Sequence, residues 1–84
     1  METLLSPIWN VELFNCYCHT FDEVVDQLII ALGCKGMFAC ELAGLAERFG
    51  SIAIYKGSKG ECNRIASLLR SIGIQAEVNE ASNR

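Results

Sequence analysis

Apolar and polar residues alternate over positions 8–14, with Trp9, Val11 and Leu13 toward one side and Asn10, Glu12 and Phe14 toward the other. Period two is the signature of a half-buried strand. Thr20 then opens the run Thr-Phe-Asp-Glu, a capping box in which the Thr20 hydroxyl takes the Glu23 amide and the Glu23 carboxylate returns to the Thr20 amide. The helix it starts carries Phe21, Val25, Leu28 and Leu32 as its apolar stripe and stops at Gly33. Ile30 falls roughly opposite that stripe.

After a tight turn over 34–36, a second helix is expected, with Phe38, Leu42, Leu45 and Phe49 facing the core and Gly50 as its stop. Ala39, Ala43, Gly44 and Ala46 are small, which would let a neighbouring element approach closely. Gly44 costs a helix interior about 1 kcal/mol relative to Ala, so close packing or a binding surface is expected there. Residues 51–56 alternate again, Ile52 and Ile54 against Ala53 and Tyr55, until Gly57 breaks the strand. Ser58 to Glu61 forms a second capping box, followed by Cys62, Ile65, Leu69 and Ile72 on one helical face, flanked by Ala66 and Leu68 and stopped by Gly73. Ile74, Ala76 and Val78 then alternate with Gln75, Glu77 and Asn79 as a last strand, and 81–84 is a polar tail.

The order is β-α-α-β-α-β. Strands with one apolar face imply an α+β, two-layer sandwich, three helices on one face of a three-stranded, mostly antiparallel sheet. Reversals of direction make the second and third strands parallel to each other and antiparallel to the first, and a right-handed crossover puts the first strand in the middle.

Composition narrows the function classes. Eighty-four residues, 51% hydrophobic and 20% charged with one proline, read as one globular domain with its core over about 8–79. A net charge of −3 with scattered basic residues argues against nucleic acid as a partner. No apolar run reaches the ~18–20 residues that span a bilayer, and the lead lacks a basic signal-peptide region, so the expected location is cytoplasmic. Five cysteines without secretory context argue against a disulfide framework.

The unusual residues concentrate over 15–21. Cys16, Cys18 and His19 invite a zinc reading, but the C-x-C spacing falls outside the usual knuckle and supplies only one; the alternative is small cysteines packing along an extended segment. A thiol enzyme needs a base within hydrogen-bond reach, and adjacent side chains on an extended segment point to opposite faces, so Cys18 and His19 do not make that pair. Metal, cofactor and catalytic residues are expected to be absent. Glu47 sits nearly opposite the Phe38 stripe, late in its helix, where the dipole opposes negative charge.

Trp9, Asn10 and Val11, then Asn15, then His19, Thr20 and Phe21 opening a helix, then Gly50 before a strand, resemble the ClpS adaptor family over nearly the whole chain, Trp9 to Val78. The resemblance implies a non-enzymatic adaptor that recognises substrates with a bulky hydrophobic N-terminal residue, an N-degron, and delivers them to the Hsp100 unfoldase of the Clp protease. In that family an Asn-Asp pair after the first strand and a His late in the second helix hold the substrate's α-amino group, beside an apolar pocket. By position the implied amine site is Asn15, Cys16 and Glu47, and the implied pocket is His19, Phe21, Ala43, Ala46 and Ile74. Cys16 replaces the family's Asp and Glu47 its His, so N-degron binding is either retuned or lost. A cleft between the 15–21 segment and the end of the second helix, with Glu47 in it, is the arrangement that favours retuning.

Members often carry a flexible N-terminal extension used in delivery, whereas a short lead precedes Trp9. Arg64 is the nearest basic candidate for chaperone contact. The alternative function is an interaction module or homodimer that has lost N-degron binding and uses apolar residues such as Ile30 and Phe14. The C-terminal domain of the bacterial ribosomal stalk protein resembles the same element order and ranks second, as a fold relative.

Overall fold

The computed structural model describes residues 8–15 and 18–81. In chain order they form β1 (Trp9–Phe14), α1 (Phe21–Leu32), α2 (Gly36–Phe49), β2 (Ser51–Gly57), α3 (Lys59–Arg70) and β3 (Ala76–Glu80). Strand β1 lies between β2 and β3 and is antiparallel to both, as the crossover rule predicts. Its two inward residues explain the central place. Val11 and Leu13 are fully buried, and burying such side chains contributes about 1.5–3 kcal/mol each. Helix α3 packs against all three strands, α2 against β2, and α1 against α2 and α3. The core between the layers is centred on Val11, Leu13, Leu28, Cys62, Ile65 and Leu69.

Helix α1 starts and stops where its sequence directs. Both halves of the capping box are made, Glu23 N–H to Thr20 Oγ1 at 3.2 Å and Thr20 N–H to Glu23 Oε1 at 2.9 Å. Gly33 takes the left-handed conformation, φ 67°, and its amide donates to Ile29 O. Val25, Leu28 and Ala31 are buried, while Ile30 is exposed.

Helix α2 differs from its expected phase. The buried residues are Ala39, Leu42, Ala43 and Ala46, and Phe38, Leu45 and Phe49 are exposed. At 100° per residue the buried face is displaced by roughly a quarter-turn from the stripe of large side chains. The physical reason is its two-sided contact with α1 and β2, where alanines allow a closer approach than phenylalanines. Close packing does not account for Gly44, because a Cβ there would meet nothing within 4 Å.

Four smaller departures accompany it. The register between β1 and β2 slips after Val11: Val11 pairs with Tyr55 and Glu12 with Ala53, leaving Ile54 as an extra residue. This bulge puts Ile52, Ile54 and Tyr55 all against the core, where simple alternation had sent Tyr55 outward with Ala53. At α3 only half of the second capping box forms. Ser58 Oγ accepts the Glu61 amide at 3.2 Å, but the Glu61 carboxylate holds Arg64 at 2.9 Å. Helix α3 ends at Arg70, so Ile72 lies beyond it and is exposed, while Ile74 is buried although β3 begins only at Ala76. Ala81, expected in the polar tail, donates its amide to Ile8 O at 2.7 Å.

Candidate functional site

The end of β1 is tied to two other junctions by its backbone. Phe14 N–H donates to Gln75 O at 3.0 Å, and Asn15 N–H donates to Gly50 O at 2.9 Å. The first bond ties the segment before β3 to the end of β1, and the second ties in the corner between α2 and β2. Gly50 turns that corner at φ 88° while its amide caps Ala46 O; a residue with a Cβ would be strained there. Asn15 is thereby fixed beside the last turn of α2, which carries Ala46 and Glu47.

His19 closes another side. Its Nε2 bonds the Ile72 carbonyl in the turn between α3 and β3. Gly73, at φ 87°, leaves room for the ring: a Cβ at that position would come within 3.3 Å of His19 Cε1. A histidine two positions before α1 is thus anchored to a turn more than fifty residues further on. The sequence reading placed it at the helix start or exposed beside it, and the anchor was not visible there.

These junctions surround a cleft of about 380 Å³, its open mouth included, lined by Leu13, Phe14, Asn15, His19, Phe21, Val24, Ala43, Ala46, Glu47 and Ile74. The walls are mainly apolar. The polar groups among them are the Asn15 amide, the His19 ring and the Glu47 carboxylate, and no lysine or arginine is among the lining residues. Such a site suits an amine carried on an apolar group, because every polar group present offers an acceptor and no fixed cation opposes it.

The structure brings together Asn15, His19, Phe21, Ala43, Ala46, Glu47 and Ile74, seven positions that the family resemblance had assigned. Cys16 lies outside the described residues. Arg64 is not among the lining residues; it pairs with Glu61 and reaches Ala31 O at 3.5 Å. Leu13, Phe14 and Val24 line the cleft without having been singled out for it. Phe14 had been assigned to an exposed surface, but it is half-buried and lines the cleft.

The cysteines divide by environment. Cys62 is fully buried in the core, and burial pushes its thiol up from the ordinary value, so it acts there as a small apolar side chain. Cys34 and Cys40 are free thiols. Cys18 is exposed and disulfide-bonded, which differs from the expectation of a small packed residue. Among the described residues no group of three His, Cys, Asp or Glu side chains is placed to hold a metal ion, and no helix is long and apolar enough to cross a membrane.

No protein-family model matches the chain, and no curated protein matches it by sequence. Among solved structures it is similar to Agrobacterium tumefaciens ClpS2 bound to L-phenylalaninamide. The TM-score is 0.85 at 15% sequence identity, over 89% of this chain and 98% of that one. The fold is ClpS-like.

Proposed function

We propose that this chain is a non-enzymatic ClpS-like adaptor that binds the free N-terminus of proteins beginning with a bulky apolar residue, for delivery to an Hsp100 unfoldase of the Clp type. The observation that carries the reading is the cleft itself. It joins Asn15 and Glu47, two acceptors for an ammonium group, to an apolar wall that includes Ala43, Ala46 and Phe21. The similar ClpS2 structure holds L-phenylalaninamide, an aromatic side chain beside a free amine, which is the same combination of chemistries.

In this reading Glu47 supplies the acceptor that the family takes from a histidine at that position, and its charge compensates for the carboxylate missing at Cys16. Recognition is therefore retuned and not lost. Small side chains at Ala43 and Ala46 leave room for an aromatic ring, while Phe21, 38% exposed at the start of α1, forms the rim. Burying a phenyl group contributes about 1.5–3 kcal/mol, and charge-assisted hydrogen bonds to the amine about 1.5–3 kcal/mol each.

Titration of a fluorescent Phe-first peptide against its N-acetylated twin tests the proposal. The free amine is expected to bind at least about tenfold more tightly, since loss of one such bond is worth that factor. Equal affinities, or no binding of either, would overturn it.

A second reading, association through an apolar surface, is favoured by one observation: Ile30, Met37, Phe38 and Phe49 are exposed by 60%, 82%, 48% and 64%. Light scattering over a concentration series separates the two, because a self-associating chain grows in mass with concentration whether or not a Phe-first peptide is present.

A further inference from the structure

We infer that His19 is a third amine acceptor in the cleft, and that the ligand is specifically a primary ammonium, with three N–H donors. This rests on the reading of the cleft as an N-terminus site. It assigns to His19 a role that position alone does not supply.

The argument begins with the tautomer. A carbonyl oxygen only accepts, so the bond between His19 Nε2 and Ile72 O requires the proton on Nε2. In the neutral ring Nδ1 then carries a lone pair. That atom is buried and has no hydrogen-bond partner, an arrangement that native proteins largely avoid because it loses solvation without replacement. The ring lines the same cleft as Asn15 and Glu47. It is also held in position from behind, by the Ile72 carbonyl and by the close approach at Gly73. An unpartnered acceptor on a ring that is fixed, in a residue that lines the cleft beside two other acceptors, matches a donor brought in by the ligand. Burial of the adjoining apolar side chain supplies the drive that carries the ammonium to it.

Counting donors sharpens the ligand class. A primary ammonium has three N–H groups, and Asn15 Oδ1, the Glu47 carboxylate and His19 Nδ1 provide one acceptor for each. An N-methylated N-terminus keeps the charge but has two N–H groups, so it leaves one acceptor unmet.

The test uses three peptides, Phe-first, N-methyl-Phe-first and N-acetyl-Phe-first, against the unaltered chain and H19F. The unaltered chain is expected to prefer the primary amine over the N-methyl form by about five- to tenfold, and in H19F that preference is expected to shrink to less than about twofold, the third donor having lost its partner. A preference for free over acetylated amine that persists unchanged in H19F, together with an unchanged N-methyl penalty, would overturn the inference while leaving the adaptor reading intact. No discrimination between free and acetylated peptide by the unaltered chain would instead overturn the adaptor reading. Because H19F also removes the bond to Ile72, nitrogen NMR of the unaltered chain decides independently. The Nδ1 resonance is expected to show an unprotonated nitrogen that shifts on adding L-phenylalaninamide and not on adding its N-acetyl derivative. A protonated Nδ1, or one unmoved by the ligand, would overturn the inference.

Discussion

The two flanks of α2 carry opposite kinds of residue in opposite environments. Its inward face is built from Ala39, Leu42, Ala43 and Ala46, all buried, and the flank about a quarter-turn away carries Phe38, Leu45 and Phe49, all exposed. Hydrophobicity alone ranks these surfaces the wrong way round. What separates them is distance to the neighbouring elements. α2 is gripped by α1 on one side and β2 on the other, and a face of alanines lets the helix settle into that corner while leaving space beneath Ala43 and Ala46 for the cleft. A face of phenylalanines would hold the helix further off and fill the space with its own side chains.

That contrast is broken most directly at Leu42, the one large residue on the inward face. L42A is expected to lower the unfolding free energy by about 2–5 kcal/mol, through lost transfer energy and the void left behind. Urea denaturation measures it, and a loss below about 1 kcal/mol would mean that the inward face is not the packed one.

Next in size is A46L. Adding three carbons at a buried, cleft-lining position costs roughly 1–3 kcal/mol by overpacking. It is also expected to abolish binding of a Phe-first peptide by occupying the space the ring needs, as seen in the same fluorescence titration. Retained affinity would place the apolar wall of the cleft elsewhere.

The smallest effect is expected for M37S, at a side chain 82% exposed near the start of α2. Stability should change by less than about 0.5 kcal/mol. A larger loss in urea denaturation, particularly one that grows with protein concentration, would show that the exposed apolar residues of α2 are covered in solution.

The candidate site was legible in part, and unevenly. Asn15, Ala43, Ala46 and Glu47 were reachable through family resemblance because each falls at a position fixed by an element boundary: the end of a strand, or the last turns of a helix. Phe14 and Val24 were missed because their alternation and helical phase describe an ordinary half-buried residue, and nothing local says what they face. The role of His19 depends on Ile72 and Gly73, and no short-range pattern connects residues so far apart in the chain.

Local chemistry within the sequence determined where the elements begin and end. The Thr20–Glu23 box, the Ser58 cap and the glycines at positions 33 and 50 act through backbone groups within a few residues of themselves, so their effect is written in adjacent positions. The order of elements and the central place of β1 follow from those boundaries and the handedness of connections. Only the tertiary structure decided the phase of α2, the bulge at Ile54 and the anchoring of His19. Each is set by how closely one element can approach another, a distance that depends on side chains from both and is therefore carried by neither stretch of sequence alone.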